Sequence, residues 1–153
     1  MAKSTHSGFT LVELMVATLI LAIVLVGLLA SYIACLQLTD LARNTSVAIN
    51  LAQTKMEEIK NAAYTSIKND YDPAGVGVPF TIIGVNGMGV TYVDNTDPDL
   101  LLVKVTVCWR ERGGRIIGED TDLNGVLNSG EDKPPLNNQL DSIAQVITYI
   151  ARH

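Results

Sequence analysis

Histidine is almost missing from this 153-residue chain: His6 stands near the start and His153 is the last residue. No imidazole is left in the interior for general-base work or zinc ligation. Neither a G-x-S-x-G elbow nor a phosphate-binding glycine loop is present, so the sequence reads as a protein that is not an enzyme. Cysteine is equally scarce. Cys35 lies in an apolar run and Cys108 far along the chain, which excludes a disulfide scaffold. A bridge between them would need their Cα atoms within about 7 Å, and nothing around them argues for that approach. Positive charge is thin as well, with 11 Lys and Arg against 16 Asp and Glu and a net charge of −5. Only the stretch WRERGGR gathers basic side chains, offset by Glu111, and it reads as a solvated strand and turn. Nucleic acid is not an expected partner.

What the chain does have is a long stretch without charge. From Leu14 to Thr39, 26 residues carry none, and a bilayer core needs about 20 apolar residues of helix. The run can span a membrane. Lys3 ahead of it tips the N-terminus toward the cytoplasm and the polar remainder to the outside. A cleaved secretory signal has a shorter apolar region, of roughly 7 to 15 residues. A lipoprotein signal ending at Cys35 would place Tyr32 where a small aliphatic residue belongs.

One acid, Glu13, sits at the mouth of this run. A first-turn carboxylate favours the helix dipole, which explains why it is tolerated but not why it is there. Near the middle of a lipid-embedded helix a charge costs about 2.5 to 3.5 kcal/mol, and a full positive charge would offset that better than a dipole end. Cutting the peptide bond after Gly8 would supply one, the α-ammonium of Phe9.

The segment Gly8-Phe9-Thr10-Leu11-Val12-Glu13, behind a short polar leader and ahead of a long apolar helix, resembles the processing site of type IV prepilins and type II secretion pseudopilins. The resemblance implies cleavage after Gly8 by a prepilin peptidase, N-methylation of Phe9, and pairing of Glu13 with the amino terminus of a neighbouring subunit. The stretch AINLAQTKMEEIKNAAY further resembles the second half of the long helix in minor pilins of the PilV class and the related minor pseudopilins.

Beyond Asp40 the pattern becomes one-sided. Leu41, Ala48, Ala52, Met56, Ile59 and Ala63 recur at helical steps, with Arg43, Lys55, Glu57 and Lys60 between them. A helix from Phe9 to about Ala63 would be on the order of 80 Å long at 1.5 Å per residue, and its exposed half wants partners. DYDPAGVGVP ends the helix. FTIIGV and MGVTYV flank Asn86-Gly87, which predicts a type I′ hairpin. LLLVKVTVCWR alternates, with Leu101, Val103, Val105, Val107 and Trp109 on one face and Lys104, Thr106, Cys108 and Arg110 on the other, and reads as a half-buried strand. Gly113-Gly114 can return it into RIIG, and QVITYIAR reads as a last strand. The expected class is α+β, a long N-terminal helix on a small antiparallel sheet of four or five strands, as the pilin resemblance also implies. The organisation reads as a leader over 1–8, a transmembrane half-helix over 9–39, an amphipathic half-helix over 40–69 and a β head over 70–153.

The head holds one motif with metal chemistry. Residues 120–131, DTDLNGVLNSGE, satisfy D-x-[DN]-x-[DN]-G-x5-E at every specified position. Asp120, Asp122, Asn124, the Val126 carbonyl, Asn128 and Glu131 would ligate Ca2+, the glycine would allow the sharp turn, and Leu127 would face inward. Pro134-Pro135 blocks the helix that follows such a loop in an EF-hand. The alternative is a polar turn whose Asp and Asn side chains cap their own backbone.

The expected function is that of a structural, minor subunit of a type IV pilus or related filament. The resemblance implies other pilin or pseudopilin subunits, the prepilin peptidase and an inner-membrane assembly platform as partners, with lipid around the helix before assembly. A type II secretion minor pseudopilin is the close alternative. A membrane-anchored calcium-binding domain that never polymerises is the alternative from another class.

Overall fold

The computed structural model describes residues 9–134 and 136–152. The first helix, α1 (Leu11–Lys60), is followed by α2 (Tyr64–Tyr71) and five strands: β1 (Val78–Thr81), β2 (Gly87–Asp97), β3 (Leu100–Arg110), β4 (Ile116–Ile117) and β5 (Ala144–Ala151). All strand pairs are antiparallel, in the order β1-β2-β3. On its far side β3 pairs with β5 along residues 100–107 and with β4 at Trp109 and Arg110. The fold is α+β, as the sequence pattern required. Two compact units divide between Thr39 and Asp40.

In the first unit every side chain from Phe9 to Thr39 is exposed. Apolar residues surround this part of the helix on all sides. It is long and apolar enough to cross a membrane.

In the second unit the helix acquires an inside. Ala48, Ala52, Met56 and Ile59 are buried against Leu101, Val103, Val105, Val107 and Trp109 of β3. The small Ala48 and Ala52, at a four-residue step, and the larger Met56 and Ile59 make up the buried stripe of the helix. The amphipathic helix expected over 40–69 is interrupted. α1 ends at Lys60, and the chain turns through Asn61–Ala63 with the Ala62 amide bonded to the Ile59 carbonyl at 3.1 Å. Ala63 is exposed, and Ile67 of α2 enters the core in its place. The break also brings Lys68 and Asp72 to β2. Asp72, almost fully buried, accepts the Val93 amide at 2.9 Å and the Gly77 amide at 3.0 Å, and Lys68 donates to the Val93 carbonyl at 2.6 Å.

Two other expectations are corrected. Asn86-Gly87 does not form a type I′ turn. Gly87 is the first residue of β2, opposite Trp109, and the Asn86 carbonyl accepts the Arg110 amide at 2.8 Å. The β1–β2 connection is residues 82–86, where Gly84 supplies the positive φ. Burial of Ile82 in the core, together with pairing to β3, outweighs the local turn preference. Nor is β3 half-buried. Lys104, Thr106 and Cys108 are 7%, 0% and 1% exposed, because the segment 118–143 covers the face away from the helix, where Leu140 and Leu127 pack on Val90 and Tyr92.

Ala52→Leu should lower the stability of the head by about 1–3 kcal/mol through overpacking against β3, whereas Gln53→Leu on the exposed face should be nearly neutral. Thermal melts of the two full-length variants in one detergent test this.

Candidate functional site

Two regions carry the chemistry read from the sequence, one in each unit. At the N-terminus, Gly8 lies outside the described residues, and Phe9 is exposed just before α1. Thr10 is the residue that sequence reading overlooked. Its hydroxyl accepts the Glu13 amide at 3.2 Å, and its carbonyl accepts the Leu14 amide at 3.1 Å, which makes it the N-cap of α1. Thr10-x-x-Glu13 is the capping-box pattern, so that signal was present in the sequence. The bond uses the Glu13 backbone; its carboxylate is exposed and forms no ion pair among the described residues.

In the head, Asp120, Asp122 and Glu131 converge, with one carboxylate oxygen from each lying within 4.8 Å of the others. Asp120 is fully buried; its oxygens accept the Asn124 and Gly125 amides at 3.1 and 2.8 Å. Burial pushes its carboxyl above the ordinary range, opposed by the Gly125 amide and reinforced by its acidic neighbours. Burial acts on Glu131 in the same sense, but bonds from the Thr121 hydroxyl (2.6 Å), the Asn128 amide (2.9 Å) and the Thr121 amide (2.7 Å) hold it below the ordinary range. Asp122 is exposed and receives the Asn124 and Asn128 side-chain amides at 2.7 and 3.2 Å.

The remaining expected ligands are Asn124, Asn128 and the Val126 carbonyl. Asn124 Oδ1 accepts the Val126 amide at 2.6 Å, and the Val126 side chain is half-exposed. Gly125 has φ 75°, and a Cβ there would collide with Pro79. Leu123 holds φ 59°, a strained conformation for a non-glycine residue. Leu127 faces inward, against the Val90–Tyr92 cluster. Asp120, Asp122 and Glu131 are the residues that could hold a metal ion, and carboxylate oxygens are the donors that hard cations take.

The loop has little regular structure of its own and is positioned by polar ties. Glu119 accepts the Lys133 and Asp141 amides at 3.0 and 2.9 Å, and Asp132 accepts the Asn137 and Asn138 amides. Lys104 is paired with Asp141 beneath the segment. The Leu140 amide donates to the Tyr92 hydroxyl at 2.9 Å, and burial raises the Tyr92 phenol to about 12. These second-layer residues carried no motif to reveal them. The WRERGGR turn is tied to the helix instead: Asn44 and Trp109 donate to Glu111, and Arg112 lies 3.5 Å from Asp40.

A family model, the prokaryotic N-terminal methylation motif, matches residues 3–29. The match supports the type IV prepilin and pseudopilin class and indicates a pilin-like substrate for prepilin processing. Comparison with curated proteins and with solved structures gives no match.

Tyr92→Phe should leave the Leu140 amide buried without an acceptor, at a cost of about 1–3 kcal/mol. Hydrogen exchange at Leu140 should accelerate much more than exchange in α1.

Proposed function

We propose that this chain is a minor structural subunit of a type IV pilus or a related filament, held first in the inner membrane with its head outside the cytoplasm, then cleaved after Gly8 and assembled through its N-terminal helix. The methylation motif over residues 3–29 carries the reading. The exposed helix supports it, because a surface apolar on all sides from Leu14 to Thr39 needs lipid before assembly and other helices after it. Glu13 supports it as well. The cap takes up its amide and leaves the carboxylate free to meet the Phe9 ammonium of a neighbouring subunit.

Such a pair, removed from water between packed helices, would give register to an otherwise featureless apolar contact, the role best attested for buried polar groups. Prepilin peptidase and the inner-membrane assembly platform are the partners this reading requires. A minor pseudopilin of type II secretion uses the same steps. A non-polymerising membrane anchor would not need the carboxylate.

Glu13→Ala keeps helix propensity and should insert and be cleaved normally, with an N-methylated Phe9 by mass spectrometry, while its recovery in sheared filaments falls by about tenfold or more, the loss of one contact worth roughly 1.4 kcal/mol. Normal incorporation would show that Glu13 serves the helix dipole alone. An uncleaved N-terminus in cells with active peptidase would sink the whole reading.

We also propose that the 120–131 loop holds one structural Ca2+. The convergence of Asp120, Asp122 and Glu131 favours it, with Asn124, Asn128 and the Val126 carbonyl available to complete an oxygen shell. Bound calcium would offset most of the charge of three gathered carboxylates and order the cover of the sheet. Binding to the folded state alone adds about 2.7 kcal/mol at a hundred times Kd. The full-length protein should therefore melt higher in millimolar calcium than in chelator, and Glu131→Gln should remove the difference. Coincident melting curves for the unaltered protein would leave the loop a polar turn.

A further inference from the structure

The arginines of this chain are unevenly placed. Arg43, Arg110, Arg112 and Arg115 are four of the five, and all four are exposed at one end of the head. Hydrogen bonds hold that end together. The Asn44 side-chain amide donates to the two carboxylate oxygens of Glu111 at 3.1 and 3.0 Å, the Trp109 indole donates to the same carboxylate at 2.6 Å, and Arg112 lies 3.5 Å from Asp40. The turn also closes on itself. The Glu111 amide donates to the Arg115 carbonyl at 2.8 Å, and the Gly114 amide to the Glu111 carbonyl at 3.0 Å. Arg110 is the last residue of β3, opposite Ile116, and Arg43 precedes Asn44 on α1. Four arginines are thus gathered about Asp40–Asn44, the stretch of α1 with which the head begins.

This end of the head keeps a surplus of positive charge. Asp40 and Glu111 stand among the arginines, but Arg112 faces the first and neutral donors take up the second. Arg43, Arg110 and Arg115 form no ion pair among the described residues. The rest of the head is the reverse. Outside the cluster, residues 40–153 carry six basic and 13 acidic side chains. None of the four guanidinium groups is needed by the core, since the Arg112 side chain is 84% exposed and the others are exposed as well.

What such a cluster meets follows from where the chain enters the head. Asp40 comes directly after Thr39, the last residue of the uncharged run. At 1.5 Å per residue the run from Leu14 to Thr39 extends about 39 Å, against roughly 30 Å for a hydrocarbon core and about 40–45 Å for a bilayer with its headgroups. With the run in a bilayer, Asp40 therefore leaves it at the level of the headgroups. Arg112 is 3.5 Å from Asp40, well inside the Debye length of about 8 Å at physiological ionic strength. A guanidinium fork also matches the oxygens of a phosphodiester.

We propose that the Arg43, Arg110, Arg112 and Arg115 cluster docks on anionic phospholipid headgroups at the surface of the membrane that the apolar run crosses. Basic clusters next to a membrane span recognise such lipids, with each Lys or Arg near the surface contributing roughly fivefold in binding. The acidic remainder of the head is repelled by the same surface, so one end of the head turns to it. The inference rests on the membrane insertion proposed above. It holds for either orientation of the chain and does not depend on assembly into a filament.

Full-length protein, one copy per disc, is to be placed in nanodiscs of phosphatidylcholine alone and of phosphatidylcholine mixed with phosphatidylglycerol, and amide exchange followed by mass spectrometry. Over residues 110–116 exchange should be roughly threefold or more slower in the anionic discs, whereas residues 97–100, at the other end of β3, should exchange alike in both. Salt at about 0.5 M should erase most of the difference. Arg112→Gln with Arg115→Gln should remove the slowing, and Arg112→Lys with Arg115→Lys should retain most of it. Equal exchange in the two kinds of disc would overturn the proposal. Slowing that survives the glutamine variant would overturn it too, by ascribing the effect to the acidified water layer at an anionic surface. Slowing in zwitterionic discs once several copies share a disc would assign the cluster to the acidic head of a neighbouring copy instead. Failure of the chain to enter discs of either composition would overturn the membrane insertion and the inference with it, whereas insertion with equal exchange overturns the inference alone.

Discussion

The head is organised around the burial of β3 on both faces. Leu101, Val103, Val105, Val107 and Trp109 share one core with Ala48, Ala52, Met56 and Ile59 of α1. Thr106 and Cys108, on the opposite face, are as deeply buried, yet no second helix or sheet covers them. Their cover is residues 118–143, which contain almost no ladder to satisfy their own amides. Buried backbone groups must be bonded, so here the side chains take over. Glu119, Asp120, Asp122, Glu131 and Asp132 each accept backbone amides from within the segment. The acidity of the loop follows from the architecture of the sheet before any ligand is considered.

The same construction bears on the calcium proposed for the loop. A carboxylate oxygen has two lone-pair directions, and one bond to an amide leaves the other available. Amide donors also make a cluster of like charges tolerable, as the opposed effects on Asp120 and Glu131 illustrate: burial prevails at the first and hydrogen bonds at the second. The Lys104 and Asp141 pair beneath the loop is poor evidence for stability, since desolvation consumes much of its attraction. Its effect is positional. Together with the bond from Leu140 to Tyr92, it fixes where the cover meets the sheet.

Periodicity made most of this architecture legible. The change from an all-round apolar helix to a one-sided stripe, the alternation of β3, and the returns at Gly113-Gly114 and in QVITYIAR are properties of single segments, and each is found in the structure. Contacts between segments were less legible. Asn86-Gly87 has the local chemistry of a tight turn, but pairing with Trp109 and burial of Ile82 outweigh it. The interruption at Asn61–Ala63 contains neither glycine nor proline, and only the gain from placing Ile67, Lys68 and Asp72 against the sheet explains it. Thr106 and Cys108 read as outward-facing because nothing local announces a cover supplied by a loop. Of the candidate site, Asp120, Asp122 and Glu131 were visible through their spacing. Glu119, Asp132 and Tyr92, which hold that spacing in place, follow no motif.

Two surfaces of the described chain are left incomplete, and they differ in kind. The helix from Phe9 to Thr39 presents apolar side chains in every direction, so lipid and neighbouring helices satisfy it almost equally and the contact conveys little identity. Glu13 is the exception there, the one charged side chain from Phe9 to Thr39. The β5 edge is the opposite case. Its free amides and carbonyls repeat at a fixed spacing, and a strand that pairs with them has a direction, a register and an inside face. Contacts along the helix therefore carry little selectivity, whereas pairing along the β5 edge would be selective through its register.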